Sequence, residues 1–150
     1  MIFRGTFDHS LDAKHRLTVP AKFRAALSGG AVLAKSNEIE AGSARSVSIW
    51  TPEGYEQFTA RVLHDFNPLQ PQARDLKRFF FNNSFDVELD SANRLMIPSL
   101  LMEYAGLDKD VVVAGSGECI ELWDRQAYRT YHEGVTNRIS DIAASLGNTP

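Results

Sequence analysis

The stretch Phe7-Asp8-His9-Ser10-Leu11-Asp12-Ala13-Lys14-His15-Arg16-Leu17-Thr18-Val19-Pro20 returns 78 residues later as Phe85-Asp86-Val87-Glu88-Leu89-Asp90-Ser91-Ala92-Asn93-Arg94-Leu95-Met96-Ile97-Pro98. No gap is needed, and Phe, Asp, Leu, Asp, Arg, Leu and Pro coincide at seven of the fourteen positions. An internal repeat of this kind is read before any single element. It continues downstream: Ala31-Val32-Leu33-Ala34 corresponds to Val111-Val112-Val113-Ala114, and Val47-Ser48-Ile49-Trp50 to Ile120-Glu121-Leu122-Trp123. Trp50 and Trp123 stand 73 apart, as do Tyr55 and Tyr128, so copy one holds about five extra residues, placed between Ser36 and Ser46. Two units follow, 6–53 and 84–126, with a helical connector over 54–83 and a helical tail over 127–150.

Within each unit the pattern predicts mainly strands with peripheral helices, an α+β chain. A strand over Phe3–Asp8 enters a turn at Asp12–His15, and a second strand over Arg16–Val19 stops at Pro20, as its counterpart stops at Pro98. Proline cannot donate to a ladder but can open a helix. A short helix over Ala21–Leu27 closes at Gly29-Gly30. Ala31–Lys35 pairs with Val47–Trp50, and in copy two the hairpin bends tightly at Gly115-Ser116-Gly117. Thr51-Pro52-Glu53 caps a helix to about His64, and Asp124 takes the capping place in copy two. Gln72–Phe81 is helical, and core packing is the simpler use of Phe79-Phe80-Phe81 than a membrane or partner patch. In the tail, Ile139, Ile142, Ala143 and Leu146 share one face of a helix over Val135–Leu146, which must dock within the subunit or on a neighbour.

Composition narrows the function. The 150 residues are 43% hydrophobic and 23% charged, ordinary for a globular chain. The net charge of −3 excludes a bulk polycation but not a local basic face. No apolar run approaches the roughly 20 residues of a membrane span, and Met1–Gly5 lacks the regions of a signal peptide. The single cysteine, Cys119, has no intrachain partner, so a cytoplasmic protein is expected. His9, His15, His64 and His132 show no metal-ligand spacing. Asp8-His9-Ser10 has triad residue types, yet adjacent strand residues face opposite ways. Gly115-Ser116-Gly117 lacks a phosphate loop's Lys-Ser/Thr. Neither an enzyme nor a cofactor site is expected.

What remains is the doubled Asp-x-x-x-Arg-x-x-x-Pro. Asp12 and Asp90 suit a turn clamp, accepting backbone N–H bonds and pairing with the arginine that follows. Arg16 and Arg94 stand at the turn exit, where a planar five-donor fork suits phosphate or guanine edges. Residues 4–24 carry Arg4, Lys14, Arg16, Lys22 and Arg24 against Asp8 and Asp12, net +3, whereas residues 82–102 carry Arg94 against Asp86, Glu88 and Asp90, net −2. Copies with similar cores and opposite charge divide their roles: copy one faces a polyanion and copy two holds subunits together.

Phe3-Arg4-Gly5, Leu11–Ala21 and Leu89–Pro98 together resemble the MraZ family, bacterial proteins of two tandem SpoVT-AbrB-type, swapped-hairpin barrel units. The resemblance spans the whole chain. It implies a transcriptional regulator that assembles into a ring and binds direct repeats in double-stranded DNA, in the promoter of the division and cell wall gene cluster, at the nucleoid. Arg16 matches the family's DNA-contacting arginine and Arg94 is its equivalent. Lys14, Lys22, Arg24 and Arg4 carry over as phosphate contacts. The family usually has glycine just before the arginine, where this chain has His15 and Asn93; His15 is added to the DNA-binding set. No membrane or small-molecule substrate is implied. The competing reading is a ring-forming, antitoxin-like module that sequesters a partner protein.

Overall fold

The computed structural model describes residues 1–40 and 42–147. Copy one contributes β1 (Thr6–Ser10), β2 (Arg16–Thr18), α1 (Ala21–Arg24), β3 (Ala31–Lys35), β4 (Val47–Trp50) and α2 (Pro52–Leu63). Helix α3 (Pro71–Asn82) leads to copy two: β5 (Ser84–Val87), β6 (Arg94–Met96), α4 (Ser99–Tyr104), β7 (Asp110–Gly115), β8 (Ile120–Asp124) and α5 (Arg125–Gly147). The fold is α+β and mostly sheet.

The two copies share one sheet. Six antiparallel strands run in the order β1-β7-β8-β4-β3-β5, and β2 pairs with β6 as a separate two-stranded ribbon. Exchanging the copies reverses this order onto itself, so the sheet has an internal two-fold. Register locates the axis. Ser48 faces Glu121 in the β4–β8 pair and Leu17 faces Leu95 in the ribbon, each opposite its own counterpart. The flanks obey the same relation, with Thr6 opposite Ala114 and Ser84 opposite Ala34. The first strand of each copy thus adds to the other copy's half of the sheet.

Burial explains which residues make which strands. β3 and β7 read as continuous apolar runs because both faces are covered. On one face Leu33, Ile49, Val111, Val113, Ile120 and Leu122 pack with Leu17, Leu95, Phe23 and Leu101 in the main core. Each such aliphatic side chain contributes about 1.5–3 kcal/mol when fully buried. On the other face Val32, Ala34 and Trp50 lie beneath α2, and Val112, Ala114 and Trp123 lie beside α5. β1 and β5 are the edges, and Asp8 and Asp86 stand exposed on them, a charge that discourages further strand pairing.

Three boundaries differ from the sequence expectation. β1 starts at Thr6, because Gly5 turns the chain at φ 95° and leaves Phe3 with only an isolated bridge to Gly117. α1 ends at Arg24 and continues as turns to Gly29. The expected tail helix is the distal half of α5, which runs unbroken for 23 residues. Its start is capped by Asp124, whose Oδ2 accepts the Ala127 N–H at 3.0 Å, and no proline interrupts it. Thr51 caps α2 in the same way, accepting the Gly54 N–H at 3.0 Å. Phe80 is buried against α2, with Phe79 half-buried and Phe81 exposed beside it. No helix among the described residues is long and apolar enough to cross a membrane.

Candidate nucleic-acid interface

The doubled motif folds into two superimposable turns. Asp12 Oδ1 accepts the backbone N–H groups of Lys14 and Arg16, both at 2.9 Å, and its Oδ2 accepts Arg16 Nε at 2.7 Å. Asp90 repeats the pattern with Ala92 N and Arg94 N at 2.9 Å and Arg94 Nε at 2.8 Å. Backbone bonds from Asp12 N to the Arg16 carbonyl and from His15 N to the Asp12 carbonyl close the turn, and Asp90, Arg94 and Asn93 do likewise. Hydrogen bonds to the charged form favour it. Both aspartates therefore titrate below the ordinary carboxylate value, the Arg16 or Arg94 backbone N–H being the largest cause.

The residue before each arginine is left-handed: His15 has φ 58° and Asn93 has φ 60°. Asparagine is among the few side chains that visit this region readily, and histidine carries more of the steric penalty. The conformation has a use. The His15 carbonyl accepts the Ile97 N–H and the Asn93 carbonyl accepts the Val19 N–H, both at 2.9 Å, so each turn extends the ribbon onto the other copy.

The ribbon then sorts its side chains by alternation. Leu17 and Leu95 point inward and are buried. Arg16 faces Met96 and Thr18 faces Arg94 on the outer side. Each guanidinium is held through Nε alone, and among the described residues its Nη groups have no hydrogen-bond partner. A fork fixed at its base with its tips free is preorganised for a bidentate acceptor. Reading the two motifs separately does not reveal that both arginines share one ribbon with Thr18 and Met96. The signal was present in the inward Leu17 and Leu95, which leave their neighbours outward.

The other basic residues distribute unevenly. Lys14 and His15 are exposed at the first turn. Lys22 is exposed on α1, with its Nζ near Gly5. Arg24 is turned inward, its Nε donating to the Val19 carbonyl at 2.9 Å, and its charge helps hold the His9 pKa down behind the larger effects of burial and Arg125. Copy two offers Ala92, Asn93, Leu100 and Met102 at the places of Lys14, His15, Lys22 and Arg24. Pro20 and Pro98 stand at the N-caps of α1 and α4. Cys119 is buried and its thiol is pushed up to about 12 by desolvation and by Glu121 and Glu118, so it is no nucleophile. The described residues hold no His/Cys/Asp/Glu group arranged to bind a metal.

Fold and site together define a tandem-repeat protein with an internal two-fold, whose distinguishing groups are two tethered, half-buried arginines on the outer side of the ribbon. The family model described as "MraZ protein, putative antitoxin-like" matches residues 2–79 and again 80–146. The chain is similar to the transcriptional regulator MraZ of Mycoplasmoides gallisepticum, 35% identical over 145 residues that cover 97% of each chain. It is also similar to the transcriptional regulator MraZ of Nitrosomonas europaea, 40% identical over 126 residues that cover 82% of this chain and 81% of that one. The chain belongs to the MraZ family.

Proposed function

We propose that this chain is a DNA-binding transcriptional regulator, without enzymatic activity or cofactor, that acts as a homo-oligomeric ring on direct repeats in the promoter of the division and cell wall gene cluster. The observation that carries the reading is the pair of Nε-anchored guanidiniums on the outer face of the β2–β6 ribbon. A two-stranded ribbon is among the elements that fit the major groove, where arginine is the commonest reader of guanine. Arg16 and Arg94 are the base-reading residues. Lys14, His15, Lys22 and Arg4 supply phosphate contacts around the first turn, and Arg24 supports that side from the β2–α1 junction. Asp12 and Asp90 hold the arginines, and Pro20 and Pro98 end the ribbon strands. The functional units are 6–53 and 84–126, joined by 54–83 and followed by 127–150. One chain offers few cations, so affinity comes from several copies acting on repeats about 10 base pairs apart. Such a protein works in the cytoplasm at the nucleoid.

The test is a fluorescence-polarisation titration against duplexes carrying one to four repeats, at two salt concentrations, with Arg16→Ala alongside. Affinity is expected to climb with repeat number, fall steeply with salt and lose its site preference in the variant. A parent protein that binds promoter and scrambled duplexes alike would overturn the assignment and leave the antitoxin-like, partner-sequestering reading in its place.

A further inference from the structure

The internal two-fold presents one aromatic cluster covered by a helix and its counterpart with one ring, Tyr131, left exposed. In copy one, Trp50 stacks on Phe58 at 4.8 Å and meets Tyr55 edge-on at 5.5 Å. In copy two, Trp123 stacks on Tyr131 at 5.1 Å and meets Tyr128 edge-on at 5.6 Å. The two trios are the same construction. Helix α3 covers the first: Phe80 meets Phe58 edge-on at 6.0 Å, and the Tyr55 hydroxyl donates to the Phe80 carbonyl at 3.0 Å. Among the described residues no helix takes that place for the second. α5 continues straight instead, none of its described side chains is buried, and Tyr131 is 41% exposed.

The bare side is acidic as well as aromatic. Tyr131 lines a cavity of about 750 Å³ together with Glu38, Asp124 and Ala44. Glu121 and Glu40 lie close enough to Glu38 to make its ionisation harder, behind burial as the main cause. The opposite chemistry stands on α3. Arg74, Lys77, Arg78 and Phe81 recur at i, i+3, i+4 and i+7, one continuous stripe beside the buried Ala73 and Phe80, with Phe81 at its edge meeting Tyr55 of α2 at 6.5 Å. These four residues also line one shallow groove with Asn82. Among the described residues Arg78 is tied only to Asp75, at 3.3 Å, an exposed pair that dissolves easily.

We infer that the Arg74–Lys77–Arg78–Phe81 face of α3 in one copy of this chain docks on the Tyr131–Glu38–Asp124 seat beside α5 in a second copy. The contact joins two different surfaces, so it runs head to tail and propagates around a ring. It places on the second aromatic trio the kind of helix that the chain itself places on the first, and it sets cations against carboxylates. The inference rests on the homo-oligomer reading above.

The test is mass by size-exclusion chromatography with light scattering on three proteins: the parent, Arg74→Glu/Arg78→Glu, and Glu38→Lys. Far-ultraviolet circular dichroism and thermal melting confirm that each is folded. The parent is expected to be a closed oligomer and each variant a monomer. In an equimolar mixture the contacts again pair opposite charges, so assembly beyond the monomer is expected to return, and a mixture that stays monomeric would overturn the inference. Variants that assemble like the parent would overturn the inference while leaving the oligomer reading intact. A parent that is itself monomeric would overturn both. In a fourth protein, Ile139→Asp, assembly lost there but kept in the charge variants would move the contact to the distal stripe of α5, against the inference.

Discussion

The two copies agree inside and disagree outside. Their turns match bond for bond, and their strands take equivalent registers about one axis. Their tryptophans stack in the same geometry. The differences fall where side chains leave the core: Lys14 against Ala92, Thr18 against Met96, Lys22 against Leu100, and α3 over the first aromatic trio where, among the described residues, no helix covers the second. A close-packed core tolerates little change, and at the axis Leu17 packs against its own counterpart Leu95. The surface carries no such constraint, and there the copies have parted.

The comparison can be broken first at its axis. Leu17→Ala and Leu95→Ala each remove a fully buried side chain opposite the other, and each is expected to cost about 3 kcal/mol. Denaturant unfolding should give similar losses for the two. A much smaller loss in one copy would show that the core is not shared evenly.

The outer face comes next. Arg16→Ala and Arg94→Ala are each expected to weaken promoter binding by about 1–3 kcal/mol, which is about 5- to 150-fold, if both arginines read bases. Lys14→Ala should weaken all duplexes alike and lower the salt slope by about one. The reciprocal change, Ala92→Lys with Leu100→Lys, should raise affinity by making copy two resemble copy one. Titration of these variants against specific and scrambled duplexes sorts the roles.

A smaller effect lies in acid. Asp12 and Asp90 are held below the ordinary carboxylate value of 3.8 by the hydrogen bonds they accept. A lowered folded value adds stability above the unfolded pKa, and that stability is lost as pH falls through the lower folded value. Melting temperature should therefore drop below pH 3.8, and Asp12→Asn and Asp90→Asn should flatten that acid limb to the same degree. Thermal melts in acid would show a break in the two-fold if only one variant flattened it.

The smallest effect separates His15 from Asn93. Both are left-handed, but His15 bears the larger steric cost. His15→Gly is expected to stabilise by about 1 kcal/mol and Asn93→Gly by only a few tenths. Equal shifts in the unfolding midpoint would mean that local contacts, and not the side chain's own sterics, set the energy of the turn.

Much of this was open to a reader of the sequence. The hairpins β3–β4 and β7–β8, the Thr51 and Asp124 caps and the burial of Trp50 and Trp123 follow from local pattern. The spacing of Asp12 to Arg16 also brings a carboxylate back to its own turn. The pairing of β1 with β7 and of β5 with β3 was not legible. Duplication makes β3 and β7 equivalent partners as far as local pattern goes, and the choice between them depends on how the whole sheet closes. Nor did the charge count reveal that Arg94 shares a ribbon with Arg16, since β2 and β6 are only three residues each.

The sequence by itself determined that this chain is a duplication, that each copy carries a clamped arginine at a turn, and that basic charge is concentrated in copy one. These are matters of spacing and composition, and no folding is needed to state them. The tertiary structure decided that the copies exchange strands into one sheet, that the two arginines face outward together, and that α5 leaves Tyr131 exposed. Those outcomes depend on contacts between residues 50 to 108 apart in the chain, where loop closure and core packing choose among pairings that local preference leaves equal.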